Sequence, residues 1–143
     1  MKDKIYRIID ANLNRSREGL RVCEEIVRFG LENSQLNEEL RRLRHKITEA
    51  AKSLPMSMEE LLACRDSESD VGNRPLGNNI EKTNYREIFI SNMQRVKEAL
   101  RVLEEFSTAV DRGVGENFRR MRFQVYTLEK NIVERFSTIR DSR

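Results

Sequence analysis

The chain contains no tryptophan, only two prolines and only six glycines among its 143 residues. Aromatic residues make up 6% of the sequence, whereas charged residues make up 36%. Scarce proline and glycine leave few helix breaks, and this balance of charged and apolar residues favours amphipathic helices over β-sheets. The length is that of one domain, residues 1–143, with enough chain to bury a hydrophobic core. The sequence therefore predicts a single all-α domain.

Several motifs that mark common functional classes are also missing. No apolar run reaches the roughly 18 residues of a membrane span, and nothing resembles a signal peptide, so no membrane association is expected. The absence of GxxxxGK[ST], GxGxxG, HExxH and paired CxxC motifs argues against a standard P-loop or zinc site. The 24 acidic residues nearly balance the 27 basic ones, so nucleic-acid binding is not expected. Two cysteines without metal-site spacing are typical of a cytoplasmic protein with reduced thiols.

Residues 3–30 carry the clearest helical period in the chain. Apolar residues recur there at spacings of four and three, which keeps them on one side of an α-helix. A neighbouring row places Asn12 and Arg15 at the margin of this apolar side, followed by the charged residues Glu18 and Arg21. Because burying such groups unpaired is costly, a helix that only covered a core would not carry Asn and Arg there.

The same pattern returns between residues 83 and 110, at an offset of eighty residues. The identical polar pairs are Asn12 and Asn92, Arg15 and Arg95, Glu18 and Glu98, Arg21 and Arg101, Glu24 and Glu104, and Glu25 and Glu105. A weaker match relates residues 40–47 to residues 118–125, at an offset of seventy-eight. The sequence therefore predicts a bundle of two duplicated helical hairpins, residues 3–53 and 84–139.

The remaining boundaries follow from caps and breakers. Pro55 ends the second helix, and a capping box at Ser57 and Glu60 opens a short extra helix. Gly30 is expected just past the end of the first helix, the repeated helix is expected to end near Gly113, and residues 112–117 are expected to form a turn before the last helix.

Residues 64–83 form one long stretch without helical period, and loops of this length are usually functional or disordered. One interpretation is a solvated connector between the two hairpins. The other is a site, because Arg65, Asp66, Asp70 and Gly72 could together hold a metal and cradle a phosphate.

The two polar quartets, one in each hairpin, also allow two interpretations. If a pseudo-twofold axis brings equivalent faces together, their arginines would converge on one cleft, and guanidinium groups bind phosphate oxygens bidentately. Alternatively, the charges are only surface ion pairs between residues three and four apart. Asn12 and Asn92 favour the cleft, since asparagine is a poor helix former and stands at the same place in both hairpins.

These motifs resemble a helical domain that, in many bacteria including cyanobacteria, is fused ahead of thiamine-phosphate synthase. The resemblance extends from about Arg7 to Glu129. Residues 10–25 match the pattern DANxxRxxEGLRVxEE and residues 65–72 match RDxxxDxG, while Asn92, Arg95, Glu98, Arg101 and Glu104 match the second-half motif and Arg122, Tyr126 and Glu129 the closing one.

The resemblance implies an ATP-dependent hydroxymethylpyrimidine-phosphate kinase of thiamine biosynthesis. The substrates would be a nucleotide and 4-amino-5-hydroxymethyl-2-methylpyrimidine phosphate, with Mg²⁺ as cofactor. No (β/α)₈ domain follows residue 143 in this sequence, so we expect a stand-alone form without synthase activity. The alternative is a non-catalytic binding or docking module, with thiamine-phosphate synthase as its candidate protein partner, and a homodimer is compatible with either.

Within that resemblance, residue roles are assigned by their chemistry. We expect Arg15, Arg95, Arg65 and Asp66 to be catalytic, with Asp66 and Asp70, or else Glu18 and Glu98, holding Mg²⁺. The remaining substrate- and phosphate-binding candidates are Asn12, Glu18, Arg21, Asn92, Glu98, Arg101, Gly72, Arg122 and Tyr126. The acceptor phosphate is already ionised, so no general base is required, which fits a chain whose one histidine, His45, has no evident partner.

Overall fold

The structure is a computed structural model that describes residues 2–75 and 84–141. Five α-helices occur in these ranges: α1 (Lys2–Glu25), α2 (Ser34–Lys52), α3 (Met58–Cys64), α4 (Tyr85–Val110) and α5 (Arg112–Asp141). The prediction of an all-α bundle is confirmed. The last part of the long predicted loop, residues 76–83, lies outside the described residues.

The four long helices close into a bundle in which α1 packs against α2 and α4, and α5 packs against α4 and α2. In the first hairpin Arg17 on α1 reaches Thr48 on α2. In the second, Lys97 on α4 binds Glu129 on α5 with an Nζ–Oε1 distance of 2.9 Å. The short helix α3 packs on the outside of α1. This position brings the segment that follows α3 against the N-terminal half of α1.

Helices α1 and α4 run antiparallel across the interface between the two hairpins. The thiol of Cys23 lies 3.8 Å from the carbonyl oxygen of Phe89. At Gly19 the approach is so close that an added Cβ would come within 2.8 Å of Val96 Cγ2 and 3.2 Å of the Asn92 carbonyl oxygen. Glycine is required at this position because the two helix backbones meet there.

The core lies between all four long helices. Its largest fully buried side chains are Phe89, Phe118, Ile9, Leu20, Leu40, Ile47, Met93, Leu100, Leu103, Ile132, Val27 and Val96. Burial, followed by the charges of Glu129 and Glu24, raises the pKa of the Cys23 thiol far above its usual value. Cys23 is therefore an unreactive core residue. Separately, no described helix is long and apolar enough to span a membrane.

The end of the first helix differs from the prediction. After Glu25 the chain passes into a π-helical turn, Ile26–Gly30, whose wider hydrogen bonds run from Leu31 N to Ile26 O and from Asn33 N to Val27 O. The left-handed residue after this turn is Glu32, with φ of 52°, and not Gly30. Gly30 instead lies against the ring of Tyr85 on α4, which an added Cβ would approach to 3.1 Å.

The turn predicted over residues 112–117 is wrong, since these residues form the start of α5. Asp111 is the only non-helical residue between α4 and α5, and its carboxylate accepts a hydrogen bond from Val114 N at 3.2 Å. Gly115 is present for packing, because a Cβ there would collide with Thr108 on α4. Two glycines in six residues indicated a turn, whereas one of them is an interhelical contact.

Contacts at equivalent positions support the internal repeat. Asn12 Nδ2 donates to Ile8 O and Asn92 Nδ2 donates to Ile88 O, both at 2.8 Å. Each asparagine thus bonds back to the carbonyl one turn earlier in its own helix.

The second matched contact ties the two helices of each hairpin together. The Glu24 carboxylate on α1 accepts hydrogen bonds from Arg44 Nε at 2.6 Å and from Arg44 Nη2 at 3.0 Å. The Glu104 carboxylate on α4 accepts hydrogen bonds from Arg122 Nη2 at 2.9 Å and from Arg122 Nε at 3.3 Å. The glutamates are separated by eighty residues and the arginines by seventy-eight, which are the two offsets that the sequence shows.

Candidate functional site

A cavity of about 380 Å³ lies between the N-terminal half of α1 and the loop segment 65–75, and is called here the α1–loop cavity. Its lining residues are Lys4, Arg7, Ile8, Asp10, Ala11, Asn12, Asn14, Arg15, Arg65, Asp66, Ser67 and Asp70. Five residues predicted from the sequence to form the site therefore come together here: Asn12, Arg15, Arg65, Asp66 and Asp70. Ten of the twelve lining residues are polar or charged, which suits a charged small molecule.

A bidentate ion pair holds the loop segment onto α1. Arg65 Nε lies 2.8 Å from Asp10 Oδ2, and Arg65 Nη2 lies 2.7 Å from Asp10 Oδ1. The Asp10 side chain is only 8% exposed, whereas that of Arg65 is 41% exposed. The hydrogen bonds that Arg65 donates to Asp10, together with the charge of Asp10, raise the pKa of the Arg65 guanidinium. Two of its five N–H groups are engaged in this pair, so the remaining three are available to the cavity.

Asp10 is a site residue that the sequence-based assignment left out. It stands directly before Ala11 and Asn12 in the DAN pattern, and a charged residue on the buried side of a helix requires a partner. That signal was present in the sequence, but the identity of the partner was not, because Arg65 lies 55 residues away.

The loop segment has a hydrogen-bonded conformation of its own. Asp66 Oδ1 accepts from Ser69 N at 3.1 Å, and Asp70 Oδ1 accepts from Gly72 N at 2.8 Å. A second link to α1 comes from Arg7, whose Nη2 donates to the Asp66 carbonyl oxygen at 3.4 Å. Gly72 thus supports Asp70 through its backbone N–H, and both aspartates are oriented by the loop itself.

The net charge of the α1–loop cavity is positive. Asp10 is neutralised by Arg65, which leaves Lys4, Arg7 and Arg15 against the two loop aspartates. Arg15 is exposed and has neither an ion pair nor a hydrogen bond within the part of the chain that the structure describes. An unpaired guanidinium beside two others fits a ligand that carries phosphate.

Three potential ligands from His, Cys, Asp or Glu do not converge at any point of residues 2–75 and 84–137 in a way that could hold a metal ion. Asp66 and Asp70 lie together at the cavity as a pair of carboxylates. Magnesium commonly uses one or two protein carboxylates and takes its other ligands from water and substrate phosphates. The pair therefore fits a Mg²⁺ ion that arrives with a phosphate ligand.

The structure places Arg21 and Arg101 outside the α1–loop cavity, in matched surface pairs. Arg21 lies 3.3 Å from Glu25, and Arg101 lies 2.8 Å from Glu105. These are the ion pairs between neighbouring helical turns that the sequence allowed as the alternative interpretation.

Arg122 and Tyr126 also have a structural arrangement. Besides its bonds to Glu104, Arg122 donates from Nη1 to the Tyr126 hydroxyl at 2.8 Å. These hydrogen bonds, with Glu104 first, raise the pKa of Arg122. The guanidinium is thus occupied by the chain on both sides, which favours a role in joining α4 to α5 over contact with phosphate.

The residues Asn92, Arg95, Glu98 and Glu18 do not line the α1–loop cavity. Arg95, Glu98 and Glu18 are exposed, whereas Asn92 is half-buried beside Gly19. A cleft shared by both hairpins therefore stays a prediction.

Comparison with known proteins gives a consistent relationship. The model of the ThiD2 family matches residues 7–131. Thiamine-phosphate synthase of Nostoc punctiforme is 42% identical over 130 residues, which cover 90% of this chain and 35% of that protein. The corresponding values for thiamine-phosphate synthase of a Synechocystis species are 42% over 130 residues, 90% and 36%. Thiamine-phosphate synthase of a second Nostoc species is 39% identical over 144 residues, which cover 97% of this chain and 39% of that protein.

The chain spans little more than a third of the length of these curated relatives. No solved structure matches it. The matched family region, residues 7–131, contains most of α1 with all its cavity residues except Lys4, the loop segment and the duplicated Asn, Arg and Glu positions. The chain belongs to the ThiD2 family.

Proposed function

We propose that this chain is an ATP-dependent kinase of thiamine biosynthesis. Its substrate would be 4-amino-5-hydroxymethyl-2-methylpyrimidine phosphate, and its product the corresponding diphosphate. The relatives that share its sequence are named thiamine-phosphate synthase, which supports a place in the same biosynthetic process. The kinase step follows from the family resemblance of the motifs and from the chemistry of the α1–loop cavity.

The observation that carries the proposal is the excess of cationic side chains in the α1–loop cavity. Lys4, Arg7 and Arg15 face a space of about 380 Å³, beside an arginine already fixed by a buried carboxylate. Phosphoryl transfer needs mainly positioning and charge neutralisation, because the protein contributes little covalent chemistry. Two anionic substrates must meet in this reaction, and fixed guanidinium groups stabilise the charge that they bring together.

In the proposed reaction an oxygen of the acceptor phosphate attacks the γ-phosphorus of ATP. The bond between that phosphorus and the oxygen bridging to the β-phosphate breaks, and ADP leaves with the electron pair. The attacking oxygen is already ionised near neutral pH, so no side chain has to remove a proton. The proposed reaction therefore needs no histidine at the cavity. The one histidine of the chain, His45, is exposed on α2 and does not line the cavity.

Asp66 and Asp70 would hold Mg²⁺ together with the phosphates of the nucleotide. Each carboxylate has one oxygen bonded to a loop N–H, which fixes its direction and leaves the other oxygen for a metal ligand. Bound Mg²⁺ would supply charge neutralisation at the phosphate oxygens.

The direct test is ADP release, measured in a coupled assay with ATP, Mg²⁺ and the pyrimidine monophosphate. We expect turnover by the unmodified chain and a loss of at least about a hundredfold in kcat/KM for Arg15→Ala, since Arg15 has no competing partner among the described residues. The matched control is Arg42→Ala, an exposed arginine on α2 that pairs with Glu38 at 3.5 Å, and it should retain full activity. A docking or binding module would instead release no ADP above the background without acceptor, and that result would overturn the proposal.

A further inference from the structure

The internal repeat separates structural residues from functional ones. Of the polar residues that are identical in both hairpins, most have the same structural partner twice, as in the pairs Glu24 with Arg44 and Glu104 with Arg122. Two duplicated pairs have no such explanation: Arg15 with Arg95, and Glu18 with Glu98. All four side chains are exposed, and none forms an ion pair or hydrogen bond with the described part of the chain. What the chain itself does not use, in either half, is available to a ligand.

The antiparallel register of α1 and α4 places Arg15 and Arg95 at a similar height along the bundle axis. Gly19 meets Val96 and the Asn92 backbone, and Arg15 lies one turn before Gly19, on the side of α1 that faces this contact. Arg95 directly precedes Val96 on α4. Continuing the register at 1.5 Å per residue places the two arginine backbones within about one helical turn, ~5 Å, of each other along the bundle axis. The duplicated residues therefore flank one seam, where the two hairpins meet.

The two sides of this seam differ in charge. In the first hairpin Lys4, Arg7 and the loop segment extend the site from Arg15. At the offset of eighty residues the second hairpin has Asn84 in place of Lys4 and Glu87 in place of Arg7. Asn84 is committed to capping α4, where its side chain accepts from Glu87 N at 2.9 Å. The first side is built for several phosphates, and the second has Arg95 as the corresponding cation.

The second side keeps neutral hydrogen-bonding groups like those of the first but lacks the counterparts of Lys4 and Arg7. Ser91 replaces Ala11 and Gln94 replaces Asn14, on either side of the shared Asn92. Asn92 is half-buried, and among the described residues its side chain forms a hydrogen bond through Nδ2 alone, so its Oδ1 atom can accept a further hydrogen bond. An aminopyrimidine ring presents an exocyclic amine donor and ring-nitrogen acceptors, which carboxamide side chains can match.

We propose that the two hairpins divide the substrates between them. The nucleoside triphosphate binds on the first hairpin, in the α1–loop cavity, and the aminopyrimidine monophosphate binds on the second, along α4 at Asn92 and Gln94. Arg15 and Arg95 meet at the seam, one from each side, where the phosphoryl group is transferred. This inference rests on the proposed kinase function and adds which half of the fold binds which substrate.

The test compares the two Michaelis constants in matched variants. Arg7→Ala should raise the KM for ATP at least tenfold and leave the KM for the pyrimidine monophosphate within about twofold. Gln94→Ala changes an exposed position and should not disturb folding. It should raise the KM for the pyrimidine monophosphate at least tenfold and leave the KM for ATP within about twofold. Asn92→Ala should raise the KM for the monophosphate further. Arg95→Lys should lower kcat more than either KM, because its charge is kept but the fork that spans two oxygens is lost. Arg42→Ala serves as the control for all four.

Equilibrium dialysis of each variant with ATP alone, and with the pyrimidine monophosphate alone, checks the same assignment without turnover. Weakened ATP binding in Gln94→Ala, weakened monophosphate binding in Arg7→Ala, or equal loss of both ligands in each variant would overturn the division. In those cases a wild-type chain that still releases ADP keeps its kinase function. A wild-type chain that releases no ADP removes the proposed function, and the inference with it.

Discussion

The two hairpins of this bundle have the same scaffold but differ in the charge around it. In each hairpin one Glu–Arg ion pair joins the two helices, and one asparagine side chain donates a hydrogen bond to the backbone carbonyl one turn earlier. Around these shared contacts the first hairpin presents lysine, arginine and a hydrogen-bonded acidic loop segment. The second has Asn84 and Glu87 at the positions of Lys4 and Arg7.

This difference in charge is what the proposed division of two unlike substrates between the hairpins would require. Contacts that hold the helices together recur at the same offset, because both hairpins need them. Under the proposed division of substrates, residues that bind the more highly charged ligand are needed once, and they would lie on the side of the first hairpin. Variants of the shared contacts test whether both hairpins lose a similar free energy of unfolding, and variants of the unshared residues test whether these residues are functional.

The largest effect is expected from the Glu–Arg pairs themselves. Arg44→Met leaves Glu24, whose side chain is 4% exposed, as a buried carboxylate with only the long 3.9 Å contact to Arg21 Nη1 described, and should lower the free energy of unfolding by about 3–5 kcal/mol. Arg122→Met should cost less, about 1–3 kcal/mol, since Glu104 is 15% exposed. Urea denaturation of both variants measures the difference. A larger loss in Arg122→Met would mean that the two pairs are not ranked by burial.

The loop segment should affect activity without affecting stability. Asp66→Asn and Asp70→Asn each remove a carboxylate from the cavity but keep a side-chain oxygen for the loop hydrogen bonds. We expect turnover to fall about a hundredfold, with a higher Mg²⁺ requirement, while the free energy of unfolding stays within about 0.5 kcal/mol. Kinetics over a range of Mg²⁺ concentrations and a denaturation curve check this prediction together. Parallel loss of stability and activity would make the aspartates structural.

The smallest effect concerns the seam between the hairpins. Gly19→Ala places a methyl group within 2.8 Å of Val96 Cγ2, so the helices must move apart, at a cost of about 1–3 kcal/mol. Gly113→Ala is the control, because at that exposed glycine the nearby group is the Asp111 carboxylate oxygen at 3.3 Å. Its thermal unfolding should stay close to that of the unmodified chain. Equal behaviour of the two variants would argue against a tight backbone contact at Gly19.

Much of the helical layout could be predicted from the sequence, because apolar spacing and caps are local signals. The capping box at Ser57 and Glu60 is present with both hydrogen bonds at 3.1 Å. The π-helical turn was not predicted, since a 3.6-residue period does not register one widened turn. The role of Gly115 was missed because glycine is equally typical of turns and of close helix contacts, and only the position of Thr108 distinguishes them.

The candidate site was predictable in composition but less so in its pairings. Asn12, Arg15, Asp66 and Asp70 were recognisable from their motifs, and they share one cavity. The commitment of Arg65 to Asp10 depends on how α3 directs the following segment back to α1, which no local pattern encodes. The pairing of Arg122 with Glu104 had a signal in the repeat, because both residues recur at the offsets found for Arg44 and Glu24.

The measurement that most directly tests this account is the ratio of kcat/KM for the pyrimidine monophosphate to that for the free pyrimidine alcohol. When the acceptor phosphate is missing, Arg15 and Arg95 at the seam lose their charge-assisted hydrogen bonds to it, and the alcohol also lacks an ionised nucleophile. Two such bonds, at about 1.5–3 kcal/mol each, predict a preference of about 10² to 10⁴ for the monophosphate. Arg15→Ala should lower use of the monophosphate without creating activity on the alcohol. Similar efficiency with both acceptors would contradict phosphate recognition by these arginines.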